Sequence, residues 1–363
     1  MRKKRGKLRA IGLCLLALSL SGCWDQHPVE MRAAVAAIGI DPAPGVGQAN
    51  YTFTFPNVTT TAASLATTPQ SQEFYAIHVT APNLLSALLS AQRRESRTLY
   101  LGQVRIVCLS SALPTRIWRS TLMTMADSGR FVLTTWIVGA PNAAAVVSLI
   151  PPVEVVPEVG LYNALTCRCQ GIRWPGRGWR VWSEIVTPGI TPSVVWVHPH
   201  QGQFTLTRLL VLRSPYPVSW SPEATIGWSY LTGRLLRDNI SVTLDHTPLV
   251  VGLIRGRSHL AIHHRQSTIA ASVHLDYSGV ILGNVSGSDA IGLDRQVERQ
   301  VANRIQSYVQ AAWLEAQRTD TDPMGWHRSA IWSDAAWASD RGWSHWSLTC
   351  WVHFTLREEG VLR

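Results

Sequence analysis

Apolar and polar positions along this chain switch repeatedly between a period of two and a period near 3.6, which predicts strands and helices mixed along the whole length. Apolar runs at 34–40 and 51–55 predict two strands, and the turn-rich Asp41-Pro42-Ala43-Pro44-Gly45 between them predicts a hairpin. The stretch 57–72 is dominated by Thr, Ala and Ser and has no apolar period, so it reads as a loop. A strand is expected at 74–79. Leu84, Leu85, Leu88 and Leu89 then recur at helical spacing behind Asn83, giving a short amphipathic helix. A buried strand at 104–109, a helix at 114–126, a strand at 131–138 and a helix at 142–149 follow, the last stopped by Pro151-Pro152.

Between Pro151 and Pro199 the pattern gives way to a stretch rich in Pro, Gly and Trp, read as a domain junction. Beyond it, 206–212 and then a helix at 224–231 precede a run of strands at 240–244, 249–254, 259–263 and 268–275, which suggests an antiparallel sheet. Asp294 is placed as the cap of a long helix over 294–317, with Val297, Val301, Ile305, Tyr308, Ala312 and Ala316 on one face. A last strand alternates over 348–356. The sum is an α+β protein of mixed or antiparallel sheets with packed helices. Its length allows three domains, drawn at 23–160, 161–235 and 236–363.

The first 22 residues stand apart from this pattern. Met1 to Arg9 is strongly basic, Ile11 to Leu20 is apolar, and Leu20-Ser21-Gly22 leads into Cys23. That order of basic, apolar and small residues before a cysteine is the layout of a lipoprotein signal, with residues 1–22 removed and Cys23 lipidated as the first residue of the mature chain. The apolar run is shorter than the roughly 20 residues a spanning helix needs. Stable anchoring takes more than one acyl chain, which a diacylglyceryl-type modification supplies. Trp24 then falls where aromatic rings meet headgroups.

The signal changes the meaning of the charge. The formal net charge is +10, but six bases and no acid lie in residues 1–22, which leaves 27 bases against 23 acids, near +4. The basic balance therefore belongs to the targeting segment and is no footprint for nucleic acid. The four remaining cysteines could pair, but Cys108 lies in an apolar run and reads as a buried hydrophobe, while the one-residue spacing of Cys167 and Cys169 suits neither an easy local disulfide nor a zinc knuckle. Cys350 completes the set.

Catalytic signatures do not emerge: there is no zincin helix, nucleophile elbow, phosphate loop or calcium loop. His198 and His200 flank Pro199, and His263 and His264 are adjacent; neighbouring strand positions point to opposite faces, so His263 and His264 do not easily share one ion, and the histidines are read as solvated or core residues with no metal site expected. No cofactor is expected. Of 16 tryptophans, seven lie from Trp313 onward, read mainly as core anchors, with an exposed aromatic platform as the competing reading. Asn57, Asn239 and Asn284 begin Asn-x-Ser/Thr triplets, which behind a bacterial lipobox carry no expectation of glycosylation.

Four ordered segments carry a family resemblance. They are Gly22-Cys23-Trp24-Asp25 with Glu30 and Ile38-Gly39-Ile40-Asp41; Arg97-Thr98-Leu99-Tyr100-Leu101-Gly102-Gln103; Trp220 to Gly227 with Leu231-Thr232-Gly233; and Gln317 to Gly325 with Trp332. In these the chain resembles the Ger(x)C spore germination lipoproteins, the C subunits of nutrient germinant receptors. It departs from their pattern at His327, where a second Gly is expected, in the Thr-rich stretch after Asn57, and in its richness in Trp. The resemblance implies three α+β domains and a non-catalytic, lipid-anchored subunit on the outer face of the inner spore membrane. Its partners would be integral membrane A-type and B-type subunits, and its role assembly or signal relay, with no small-molecule substrate of its own. Two other classes are an extracytoplasmic solute-binding lipoprotein of a transporter, which needs a cleft with convergent polar groups, and a surface hydrolase, which needs a cluster of perturbed acids or an activated nucleophile.

Overall fold

The computed structural model describes residues 28–56, 74–152, 154, 156–167, 169, 171–244, 247–265, 268–282, 290–333 and 342–357. Cys23, Trp24, Trp337, the Thr-rich stretch 57–72, Asn57 and Asn284 lie outside them.

The first unit is an eight-stranded mixed sheet. Its strands are β2 (Ala37–Pro42), β3 (Ala49–Pro56), β4 (Phe74–Ala81), β6 (Ile106–Ser110), β7 (Trp136–Ala140), β8 (Ser193–His200), β9 (Gln203–Val211) and β10 (Val218–Ser219). The order across the sheet is β10-β9-β8-β7-β6-β2-β3-β4. The central four, β8, β7, β6 and β2, are parallel, and antiparallel hairpins extend both sides. Every residue of β6 and β7 is buried, because helices cover both faces and a doubly covered strand must be apolar throughout. On one face lie α1 (Leu84–Gln92), α2 (Thr115–Ser128) and α5 (Gly178–Val186); on the other lie α3 (Ala143–Ser148) and α4 (Pro157–Thr166). A short parallel pair, β1 (Arg32–Ala34) and β5 (Thr98–Tyr100), stands beside the sheet.

The second unit is a four-stranded sheet in the order β11 (Asn239–Leu244), β12 (Thr247–Arg265), β13 (Thr268–Leu282) and β14 (Trp346–Leu356). The helix α7 (Ala290–Thr319) crosses one face, and α6 (Pro222–Leu231) packs on α7. Another helix, α8 (Trp326–Ser333), follows α7. Thirty residues give α7 a length of about 45 Å. The alternating burial of β13 reports one face on the core and one toward solvent.

Most of the predicted elements form where the pattern places them, and the differences have physical causes. The α1 and α3 helices start at the predicted Asn83 and Asn142, whose side chains accept the N–H of Ser86 and Ala145. Residues 131–135 form a turn, with Thr135 N–H bonded to Val132 O, so the strand expected at 131–138 begins only at Trp136. The stretch read as a junction carries α4, α5 and β8, and β8 pairs with β7. The boundary drawn at 160/161 therefore falls inside the eight-stranded unit. The two strands expected at 249–254 and 259–263 are one strand, β12, because β13 pairs with it continuously past a bulge at Leu253/Arg255. The last pair, β13 and β14, is parallel, with the crossover that parallel pairing demands supplied by α7. That helix begins at Ala290, which puts Asp294 inside it and not at its cap; Tyr308 is half-buried against the core as expected, and Val309 joins it there fully buried.

The cysteines bring a correction. Cys167 and Cys169 are joined as a disulfide, against the expectation from their spacing. After α4 ends, Cys167 turns out of the helix and the chain bends, bringing the two Cα atoms to 5.2 Å, inside the range a disulfide spans. Cys108 is free and buried, Cys350 free and half-buried. In a soluble form beginning at Trp24, alkylation of the denatured, unreduced chain is expected to label two thiols, and prior reduction four. Labelling of four without reduction would remove the bridge.

Candidate functional site

The parts of the singled-out segments that fall within the described residues take defined positions, and among the described residues none assembles a reaction centre. Cys23 lies outside the described residues. From Pro28 the chain makes one 3-10 turn at Val29–Met31 and enters β1, paired with β5 of the second segment. That segment is held by Gln92: its Oε1 accepts Leu99 N–H and its Nε2 donates to Arg97 O, both at 2.8 Å. Leu99 and Leu101 are buried, and a Cβ at Gly102 would stand 2.6 Å from Tyr100 Oη. A cavity of about 350 Å³ opens here, lined by Arg32, Tyr100, Gln103, Arg105 and Glu158. Arg32 lies 5.0 Å from the Tyr100 ring centre. Burial raises the pKa of Glu158, with the Arg105 charge opposing it.

Ile38-Gly39-Ile40-Asp41 lies on β2, against α3. A Cβ on Gly39 would meet Val147 and the backbone of Ala143 at about 3 Å, so glycine lets helix and strand touch. The Asp41 carboxylate accepts the N–H groups of Ala143 and Ala144 at 2.7 and 2.8 Å, closing the start of α3. Burial raises its pKa and those two bonds oppose the rise. A cleft of about 600 Å³ beside it is lined by Asn50, Thr52, His78, Thr80 and Asn142 as well. Asp41 is committed to the helix and offers this cleft no free acid.

The third and fourth segments meet at the joint between the two units. Ser221 caps α6 by accepting Ala224 N–H, and Thr225 Oγ1 accepts Leu209 N–H of β9 at 2.9 Å. Gly227 faces α7, where an added Cβ would lie 1.8 Å from Tyr308 O. Trp228 Nε1 donates to Pro323 O. Asp322 is the hub: Oδ1 accepts the N–H groups of Met324 and Gly325, and Oδ2 accepts His327 N–H at 2.7 Å and pairs with His327 Nδ1 at 3.1 Å. The Asp322 backbone reaches the other unit, its O accepting Thr191 N–H and its N–H donating to Thr191 Oγ1, both at 2.8 Å. Arg328 N–H donates to Gly189 O, at a glycine with φ +74°. A cavity of about 440 Å³ lies at this joint, between Thr115, Arg119 and the loop 185–192.

His327, the departure from the expected glycine, packs its ring 4.6 Å from Trp343 and 4.7 Å from Trp346. With Trp313 and Trp326 these rings form a closed aromatic cluster. All four tryptophans are buried, whereas Trp332 and Trp351 are exposed. The core reading therefore describes most of the C-terminal tryptophans.

The chemistry available is that of packing and positioning. Carboxyls with raised pKa occur at the buried Glu158 and Glu184 and the half-buried Asp41 and Asp238, each raised first by desolvation, and they sit in four separate places. Among the described residues no three His, Cys, Asp or Glu side chains could hold a metal ion. His198 and His200 occupy exposed alternate positions on β8, and His263 and His264 are consecutive on β12. The joint built from Gly189, Thr191, Asp322 and Arg328 was singled out in the sequence only at Asp322, which falls in the segment Gln317 to Gly325. Its available signal was Asp322 three residues before Gly325 and just after a long helix, a pattern of capping and turn residues.

Among the described residues no helix is long and apolar enough to cross a membrane. A protein-family model for the spore germination protein N-terminal domain matches residues 25–198. The crystal structure of the GerBC protein is similar in fold, with a TM-score of 0.54, 10% sequence identity, and coverage of 88% of this chain and 97% of that one. None of the curated proteins matches the sequence.

Proposed function

The chain belongs to the Ger(x)C family of spore germination proteins, and from that premise we propose that it is the lipid-anchored, non-catalytic subunit of a nutrient germinant receptor, supporting assembly or signal relay. The observation that carries the reading is one of position: the family match opens at residue 25, two residues after the lipobox cysteine, so the family domain lies wholly on the mature side of Cys23. Five residue steps separate Cys23 from Pro28, a reach of at most about 18 Å. A lipidated Cys23 would thus hold the β1–β5 end of the molecule close to the headgroups. Confinement to the outer face of the inner spore membrane raises the effective concentration beside integral A-type and B-type subunits without any new contact.

Two measurements test this reading. Wild-type protein is expected in the membrane fraction, released by detergent, and Cys23→Ala in the soluble fraction; recovery of the variant in the membrane at the wild-type level would overturn the anchor. Spores lacking the chain are expected to lose release of dipicolinic acid in response to nutrients and to keep it in response to a cationic surfactant. An unchanged nutrient response would remove the receptor role.

A further inference from the structure

Among the described residues, the four-stranded sheet has a long margin that no strand pairs with and that the proposed role leaves unused. β11 pairs with β12 only from Thr247 to Gly252, whereas β12 runs on against β13 as far as Arg265. Leu253 N–H, bonded to Asp238 O, marks where pairing on that side ends. Among the described residues, no strand lies alongside the outer edge of β12 from 254 to 263. Such an edge presents a row of backbone N–H and C=O groups ready to take another strand.

The side chains of this edge select what that strand can be. Thr247–Arg265 contains no Asp or Glu. Arg255, Arg257, His259 and His263 fall at alternate positions and are exposed, while Leu260 and Ile262 take the opposite face. Ile254 is 55% and Leu260 38% exposed, although both are strand apolar residues. His259 stands across from His274, whose ring stacks 4.4 Å from the exposed Trp351, and Asp276 stands across from Arg257. A second copy of the same edge would bring like charges face to face, which is unfavourable in cross-strand pairs. An anionic lipid surface would meet the arginines and leave the backbone row unpaired.

We propose that β12 between Ile254 and His263 receives an extended acidic segment of a partner protein as an added strand, its carboxylates beside Arg255, Arg257 and His259 and its apolar side chains beside Leu260 and Ile262. The proposal is independent of the anchor at Cys23 and can fail or hold without it.

The test uses the full mature chain and a blocked ten-residue peptide of alternating Glu and Val. Its comparators are a Lys/Val peptide, the Glu/Val peptide N-methylated at every residue, and vesicles of equal phosphatidylglycerol and phosphatidylcholine. The Glu/Val peptide is expected to slow amide hydrogen exchange at least tenfold within 254–263 and to bind more weakly as salt rises. The N-methylated and Lys/Val peptides are expected to bind at least tenfold more weakly. The exposed double variant Arg255→Glu/Arg257→Glu is expected to invert the preference toward the Lys/Val peptide. Equal binding of the N-methylated peptide would reduce the site to charge attraction, and protection by vesicles alone would make it a lipid contact. Either result, or no protection within 254–263, would overturn the proposal.

Discussion

Asp322→Ala is expected to lower the unfolding free energy by about 3–5 kcal/mol, since it removes an acceptor from four donors at once. The N–H groups of Met324, Gly325 and His327 and the His327 ring all bond to this carboxylate, and each orphaned donor costs about 1–3 kcal/mol when water cannot replace the acceptor. Water can reach the half-buried members, so the total falls below the simple sum. Trp326 and Trp343 are buried beside these groups, and their fluorescence should report the loss. Asp322→Asn keeps one acceptor oxygen and is expected to lose about half as much. Urea titrations followed by tryptophan emission measure both variants. A loss under about 1 kcal/mol for the alanine variant would mean that the turn survives without its hub.

Gly227→Ala is expected to destabilise by about 2–4 kcal/mol, against the direction helix propensity alone gives. Glycine within a helix costs roughly 0.5–1 kcal/mol relative to alanine, so an exposed site would gain from the exchange. Here the added methyl would stand 1.8 Å from Tyr308 O, 2.5 Å from Tyr308 C and 2.9 Å from Ala312 Cβ. Two of these are backbone atoms of α7 and cannot swing aside, so α6 and α7 must separate. Overpacking of this kind costs about 1–3 kcal/mol, occasionally more, and the separation also loosens Trp228 and Tyr230, both buried under the crossing. The steric cost wins by magnitude. An unchanged or raised denaturation midpoint would show that the helices do not approach this closely in solution.

Local patterns in the sequence match what local physics governs. Asn83 and Asn142 stand where the helices they cap begin, and the alternation over 348–356 became β14. The hairpin of β2 and β3 followed from the turn residues between two apolar runs. The family was legible from four ordered segments, and what they carry turned out to be close packing: Gly39 against α3, Gly227 against α7, Asp322 at the joint. Cys167 and Cys169 misled because sequence spacing does not report a bend after a helix.

What the sequence by itself determined is therefore most of the elements, the caps at Asn83 and Asn142 and the family signature. Pairing across distance was decided only by the tertiary structure. β8, read as part of a junction, became a parallel neighbour of β7, and β12 ran unbroken through a bulge because β13 lay beside it. The union of Thr191 with Asp322 brings together residues 131 positions apart. Such contacts form when buried surfaces and backbone donors find partners in three dimensions, and a chain's local period carries no record of which partner that is.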